Sequence, residues 1–411
     1  MKIYQVGGAV RDKLMGITPH DIDYVVVGAD AQELLDKGFH QVGKGFPVFI
    51  NPKNGSEYAL ARKEIKTGQK HTDFKFIFDK TITLKEDIER RDFTCNALAY
   101  DEENDIIIDY HNGEKDIKNK LLRVVNPKHF VEDPLRVLRL CRFAAQLDFT
   151  PTQDTLELAS KMVAQGMLQH LSAERLWQEI YKALQTPRFE KFIMVARQCN
   201  ALKEILPEVE LLFQTPERTD FHPEGNSGDH TMLCLKQVAN NSAKIKFATL
   251  LHDIGKTLTP KEILPSHHLH EISGLELIKN ICRRLKVPND LRNFALLCCK
   301  QHMKLHLVQK MRAGTMVNFT LALLKQPYDL EDFITVCKAD FFGRAYICSA
   351  EECSDFKANE LYLKKAADVL KEIKASNMPN FNEIPKDKTF AEKFRQYQIQ
   401  QLQLRFIKKS S

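Results

Sequence analysis

The sequence predicts an α+β fold, with a head of mixed strands and helices followed by an all-helical remainder. Three observations predict it. The 411 residues exceed one small domain and suggest two to four units. Short β-branched runs mix with short helical patterns over the first hundred or so positions. Beyond about Asp133 long helical patterns take over, with Pro and Gly at their joints.

In chain order, residues 3–6 form a short apolar strand, Gly7-Gly8 a turn, and residues 9–15 a helix that Gly16 ends. Tyr24-Val25-Val26-Val27 and Ile106-Ile107-Ile108 read as further buried strands. Helices are expected over 135–147, 155–167, 173–184 and 189–199, and a turn-rich linker over 221–228. Another helical block runs to about residue 345, and a basic helical tail follows. No internal repeat or low-complexity tract interrupts the pattern.

A 43% hydrophobic and 28% charged composition excludes a disordered or fibrous chain. The formal charge of +6 is too mild to announce a nucleic-acid partner by itself, but its distribution is uneven. Positions 361–411 carry eleven basic and five acidic residues, an excess equal to the whole net charge. A polyanion-facing tail and a solvated Lys-rich terminus both fit. None of the ten cysteines forms a Cys-x-x-Cys pair, so they read as reduced core residues of a cytoplasmic protein. No apolar run is long enough for a signal peptide or a membrane span, and no membrane partner is expected.

Asp21 and Asp23 straddle Ile22 and lead into the strand at Tyr24. Alternation along a strand points both carboxylates one way and Ile22 into the core. Like charges so placed need a cation, and two carboxylates plus substrate phosphates suit Mg²⁺. Upstream, Gly8 closes a strand-to-helix turn with Arg11 in the next helical turn, where backbone N–H groups and a helix N-terminus favour a triphosphate. A lone Asp-x-Asp also fits a solvated strand end; the glycine pair upstream favours the ligand.

Gly7-Gly8-Ala9-Val10-Arg11-Asp12, Asp21-Ile22-Asp23 and Arg90-Arg91-Asp92-Phe93-Thr94-Cys95-Asn96-Ala97 closely resemble the polymerase-β-like nucleotidyltransferases. Within them the match is to the bacterial tRNA CCA-adding enzymes and their poly(A) polymerase relatives. The resemblance implies a head with a mixed sheet, Mg²⁺ on Asp21 and Asp23, and a nucleoside triphosphate held by Gly8, Arg11 and Arg91. Arg62 and Glu64 also fit the family pattern. Cys95 stands where the family usually has Ile, a packing change beside Asn96, and Tyr110-His111 is a second local departure. The implied reaction is attack of a tRNA 3′-hydroxyl on the α-phosphorus of CTP or ATP, with pyrophosphate leaving.

Asp133, Arg136, Arg139 and Arg142 recur every third residue after Glu132. Each step turns by about −60°, so they form a slanting polar ridge opposite an apolar side, with Pro134 starting the helix. An ordinary amphipathic helix with a solvated basic face shows the same pattern. The resemblance implies that this Glu-Asp-x-x-Arg motif replaces a nucleic-acid template. Asp133 would accept from the exocyclic amine of C or A and Arg136 would donate to the neighbouring ring nitrogen, whereas U and G present the opposite polarity. Arg139 and Arg142 would hold the nucleotide's phosphates or sugar.

His230, the adjacent His252-Asp253 and Asp340 form a mixed N/O set suited to Ni²⁺, Mn²⁺ or Mg²⁺ more than to structural zinc. A hydrogen-bonded core pair without metal is the plainer reading of His252-Asp253. The order resembles the HD phosphohydrolase domain, and the local sequence looks like that of multifunctional CCA enzymes carrying one. The resemblance implies hydrolysis of phosphate esters, with Ni²⁺ or another divalent transition metal as cofactor. His267, His268, His270 and His302 could line the same site, and a plain loop reading fits the first three equally well.

The expected organisation is a nucleotidyltransferase head at 1–132, a helical neck at 133–225, an HD domain at 228–345 and a basic tail at 346–411. Head, neck and tail would bind the tRNA acceptor arm and 3′ end, with CTP and ATP as substrates, in a monomer or weak homodimer. A bacterial poly(A) polymerase is the nearest alternative; an RNA-binding protein with a degenerate nucleotide site and an HD phosphohydrolase with a targeting head are others.

Overall fold

The computed structural model describes residues 1–19, 21–42, 48–66, 74–325, 327–346, 348–381 and 388–406, and the side chains of all of these but 64–66, 74–76 and 388. It divides into two compact units, Met1–Ile205 and Leu206–Ser411.

The first unit is built on a mixed seven-stranded sheet. Its strands are β1 (Lys2–Val6), β2 (Asp23–Val27), β3 (His40–Val42), β4 (Val48–Ile50) and β5 (Glu57–Leu60), then, past a separate hairpin of β6 (Arg62–Lys66) and β7 (Phe74–Phe78), β8 (Leu98–Asp101) and β9 (Ile106–Asp109). The order is β3-β4-β5-β2-β1-β8-β9, with β2 parallel to β5 and antiparallel to β1. The unbroken apolar run of β2 follows from burial on both faces. Val25 packs on one face with Tyr4, Val6, Ile88 and Ala99, while Val26 packs on the other with Leu34, Phe49 and Leu60.

The antiparallel register brings function-bearing loops together. Val6 pairs with Asp23, so the glycines after β1 lie beside the carboxylates before β2, and Asp23 also pairs with Glu57. Asp23 opens the strand, whereas Asp21 precedes it, exposed, and Ile22 is only half-buried. Strand alternation therefore does not govern Asp21 or bury Ile22, contrary to the sequence expectation. Gly8 is the first helical residue (Gly8–Leu14), so the turn narrows to Gly7.

The helices Leu135–Leu147 and Ala173–Leu184 have the expected bounds. The helix expected over 155–167 spans Gln153–Ala164, because Gly166 adopts φ +70° and stops it. Val137, Leu138, Leu140 and Cys141 of the first helix are fully buried, each apolar side chain contributing about 1.5–3 kcal/mol.

The second unit is helical. The expected linker ends early, at Asn226, whose side chain accepts from the Asp229 N–H and caps Ser227–Gln237. The other principal helices are Ala243–Leu251, His270–Arg284, Asn289–Gln301, Ala313–Leu324, Leu330–Phe342, Ala350–Glu372 and Lys388–Phe406. The helix Ala350–Glu372 is not a loose solvated arm, for it buries Phe356, Leu363, Ala366, Ala367 and Leu370. No helix among the described residues is long and apolar enough to cross a membrane.

Gly255 lets the 3₁₀ turn Ile254–Leu258 lie directly on the helix His270–Arg284. A Cβ there would collide with the His270 carbonyl and reach 2.6 Å from the Gly274 nitrogen. Gly255→Ala is expected to destabilise the second unit by about 1–3 kcal/mol, read as a lower midpoint in urea unfolding followed by circular dichroism.

Candidate active sites

In the first unit a cavity of about 900 Å³ opens over the ends of β1 and β2. Its lining includes Gly7, Gly8, Asp21, Asp23, Glu57, Tyr58, Asp92 and Asp133, together with eight arginines and Lys182. Nine cations against five carboxylates favour a polyanion. Gly7 has φ +75°, and a Cβ there would stand 2.7 Å from the Arg91 guanidinium, so only glycine permits this approach. A capping box between Thr83 and Glu86 starts the helix Leu84–Glu89, which carries Asp87. Asp87 is buried and accepts from Arg90, with Arg91 at 3.7 Å. Burial pushes its carboxyl up, but Arg90 and Arg91 outweigh that and hold it below the usual range.

Asp92 ties the pieces together. Its Oδ1 accepts from the Phe93 N–H at 2.8 Å and from the Asn96 amide at 3.1 Å, and its Oδ2 accepts from Arg139 Nε at 2.7 Å. Asn96 Oδ1 accepts from Arg11, whose Nε and Nη2 also reach Asp12. Arg11 is therefore a buried charge fixed at the cavity wall. Against the cost of burial, Arg139 keeps Asp92 ionised, and Asp92 in turn raises Arg139. Cys95 is fully buried, which pushes its thiol up to about 12 and marks it as packing.

The ridge arginines reach different partners. Arg136 donates to the carbonyls of His129 at 2.7 Å and Arg90 at 2.6 Å, pinning the helix start to the Arg90-Arg91-Asp92 segment. Arg142 is buried and pairs with Glu179 at 2.5 Å and Gln146 at 2.6 Å. Asp133 Oδ1 accepts from the Leu135 N–H, and both its oxygens accept from Arg175 at 3.2 and 3.1 Å. Arg62 lines the cavity; the side chain of Glu64 lies outside the described residues.

Sequence reasoning missed Glu57, Arg175, Glu179 and Lys182, and gave Asp92 no role. Arg175, Glu179 and Lys182 share one face of the helix Ala173–Leu184, a readable polar stripe. The pairings that give it meaning span 42 and 37 residues.

The second site lies in the other unit. His230 stands in the first turns of Ser227–Gln237, His252 and Asp253 follow Ala243–Leu251, and Asp340 ends Leu330–Phe342. All are buried. His230 Nε2 is 3.1 Å from Asp340 Oδ1, and His252 Nε2 is 3.3 Å from Asp253 Oδ2 and 3.7 Å from Asp340 Oδ1. Burial opposes charge on both carboxyls. His252 and Lys256 nevertheless hold Asp253 well below the usual range, while His230 and His252 do so for Asp340.

His252 Nδ1 donates to the Thr249 carbonyl at 2.7 Å, and its buried Nε2, without a hydrogen-bond partner, faces Asp253 and Asp340, which against the cost of burial raise the ring well above the usual histidine range. Such a nitrogen beside two carboxylates fits a divalent transition metal. Of the four other histidines, His270 and His302 come to Asp253. His267 bonds Thr259 and the Pro216 carbonyl, and His268 is exposed. A cavity of about 390 Å³ adjoins the cluster, lined also by Arg218, Lys256, His306 and Arg344.

Fold and sites together define a polymerase-type nucleotidyltransferase head in one chain with an HD-type helical domain. Three family models match accordingly. They are the poly A polymerase head domain at 3–123, the probable RNA and SrmB-binding site of polymerase A at 148–212, and the HD domain at 189–340. The multifunctional CCA protein of Acinetobacter baylyi is 41% identical over 409 residues, covering 98% of this chain and 97% of the relative. That of Vibrio vulnificus is 46% identical over 351 residues, covering 84% and 86%. The chain belongs to the multifunctional CCA protein family.

The Thermotoga maritima CCA-adding enzyme complexed with tRNA has a similar fold, with a TM-score of 0.62 at 21% identity, over 97% of this chain and 87% of that one. A CCA-adding enzyme solved with ATP gives 0.62 at 22%, over 97% and 85%. Likeness at these identities speaks for the fold.

The Arg142–Glu179 pair is open to a direct test. Glu179→Ala leaves a buried guanidinium unpaired and is expected to cost about 3–5 kcal/mol. Replacing both partners, Arg142→Met with Glu179→Leu, should cost clearly less in the same denaturant titration.

Proposed function

We propose that the chain adds and repairs the 3′-terminal CCA of tRNA without a template, using CTP and ATP and releasing pyrophosphate. The observation that carries this reading is Asp21 and Asp23 at the mouth of a cavity whose wall is dominated by arginine. Their hard oxygen donors suit Mg²⁺, which supplies Lewis-acid activation of hydroxyl and phosphate in an in-line displacement. Gly7 and the helix N-terminus at Gly8 admit the triphosphate close to the main chain. Arg91 meets its phosphates, and Arg11 contributes a fixed positive field. Asp133 reads the exocyclic amine of C or A by exchanging Arg175 for the base edge. Arg136 donates to the ring nitrogen beside that amine, and Arg139 and Arg142, which line the same cavity, meet the nucleotide's phosphates or sugar.

In this reading residues 1–132 form the catalytic head and 133–225 the nucleotide-selecting and RNA-binding neck, with 228–345 as the HD domain and 346–411 as a basic tail. The HD domain acts as a phosphohydrolase on phosphate esters at a tRNA 3′ end (2′,3′-cyclic phosphodiesterase, 2′-nucleotidase and phosphatase). His230, His252, Asp253 and Asp340 hold Ni²⁺ or another divalent ion, which supplies an activated water near neutral pH. Arg218, Lys256 and Arg344 line the adjoining cavity and suit a bound phosphate.

Sequencing the 3′ ends made from tRNA lacking its last three nucleotides should return two C and one A. Long A-tracts would instead identify a poly(A) polymerase. Asp21→Ala or Asp23→Ala should lower incorporation of both nucleotides by at least about 10³-fold, as expected when a metal ligand of the reacting centre is lost.

Joint replacement of His252 and Asp253 by Ala should abolish cyclic-phosphate hydrolysis and leave nucleotide addition intact. Loss of both activities in a folded variant would refute separate sites.

A further inference from the structure

The cavity of about 390 Å³ in the second unit is lined by side chains of two kinds. Asp253, Lys256, His270, His302 and Asp340 are charged or titratable, and all five are buried. Phe221, Pro265 and Met303 are apolar and exposed, Phe221 by 48% and Met303 by 43%. A single exposed apolar side chain is ordinary. Three of them on one cavity whose buried lining is charged suit a ligand with an ionic end and a flat apolar end.

The Phe221 ring is held in place from both sides. Its own N–H and that of His222 donate to the Arg218 carbonyl, at 3.1 and 2.8 Å, and close a tight turn. His222 secures one end of that turn. Its Nδ1 is 2.9 Å from Glu224 Oε1, and its ring meets that of buried His230 edge to face, with centroids 4.6 Å apart. Glu224 accepts in turn from the Ala345 N–H at 3.1 Å. At the other end the Arg218 guanidinium lies over the Phe221 ring, 4.8 Å from its centroid. Asp220 steadies the guanidinium through two hydrogen bonds, at 3.2 and 2.6 Å. An exposed ring backed by a guanidinium, both lining one cavity, is a surface on which an unstacked nucleobase packs.

We propose that Phe221, backed by Arg218, is a nucleobase platform at this cavity, and that it makes the second unit prefer phosphate esters that carry a base. The inference rests on the reading of the cavity as a phosphohydrolase site. With the ester against the buried charged lining, the base lies outward on Phe221. Stacking needs only a π-face, so it serves every base. The platform therefore selects nucleotides as a class, not one base among them.

Two measurements on the full chain loaded with Ni²⁺ test this. The first compares hydrolysis of adenosine 2′,3′-cyclic phosphate with that of glycerol 1,2-cyclic phosphate, which has no base. Phe221→Ala should raise KM for the adenosine ester by about 5-fold or more, the loss expected for one stacked base. Its kcat, and both constants for the glycerol ester, should stay as they were, and Phe221→Trp should restore KM. Equal changes for the two esters, or no change for either, overturn the inference. If the unaltered chain hydrolyses neither ester, the phosphohydrolase reading fails, and the second measurement decides the platform by itself. Crystals of the unaltered chain soaked with adenosine 3′-monophosphate should show the base stacked on the Phe221 ring and the phosphate inside the cavity. A base lying elsewhere in the cavity, or a cavity still empty at a saturating soak, overturns the inference.

Discussion

The first half of the molecule is organised around one buried carboxylate. Asp92 sits where three segments meet. It caps the turn leading to Asn96, anchors Arg139 of the helix Leu135–Leu147, and through Asn96 orients Arg11 after the first strand. Burying a carboxylate is tolerable only when its oxygens are matched by donors. Removing any one segment would leave the others with an unmet charge, so the glycine loop, the Arg90-Arg91-Asp92 turn and the ridge helix stand or fall together. Backbone carbonyls taken up by Arg136 reinforce the same junction.

The two halves solve opposite electrostatic problems. Around the first cavity donors crowd together, and carboxylates at the periphery (Asp87, Asp92, Asp133, Glu179) keep the arginines ordered without cancelling them. Around Asp253 acceptors crowd together, with Lys256 and Glu217 forming a local counter-pair at 2.7 Å. One arrangement awaits an anion and the other a cation. Each is stable as protein because most of its surplus is compensated by paired partners, and the remainder suits a ligand of opposite charge.

Much of this was legible in the sequence where the information is local. The helices Leu135–Leu147 and Ala173–Leu184 had readable bounds because a proline and a serine mark their starts and apolar periodicity fills them. The glycine pair, the Asp21/Asp23 pair and Arg91 were found because each lies within a contiguous motif. The short strands Val48–Ile50 and Glu57–Leu60 were not, since three or four residues of mixed polarity carry no periodic signal and are fixed by pairing with a central strand. The links from Asp133 to Arg175 and from Arg142 to Glu179 join helices whose packing no spacing rule reveals. Likewise, four histidines crowded between 267 and 302 look alike on paper. What separates them is that His270 begins a helix pressed against Gly255 and His302 ends another, while His267 is spent on a loop carbonyl.

The helix Ala350–Glu372 changes what counts as a separable piece of this protein. By composition it belongs to an appendage, but Phe356 packs between Phe341, Phe342 and His306, and Leu363 and Leu370 are sealed from water. A fragment cut at the end of the preceding helix would carry a greasy scar where Phe356 had been, next to the segment that bears Asp340. Anyone isolating the second unit for biochemistry should therefore keep the chain at least through Glu372 as its own lid of hydrocarbon.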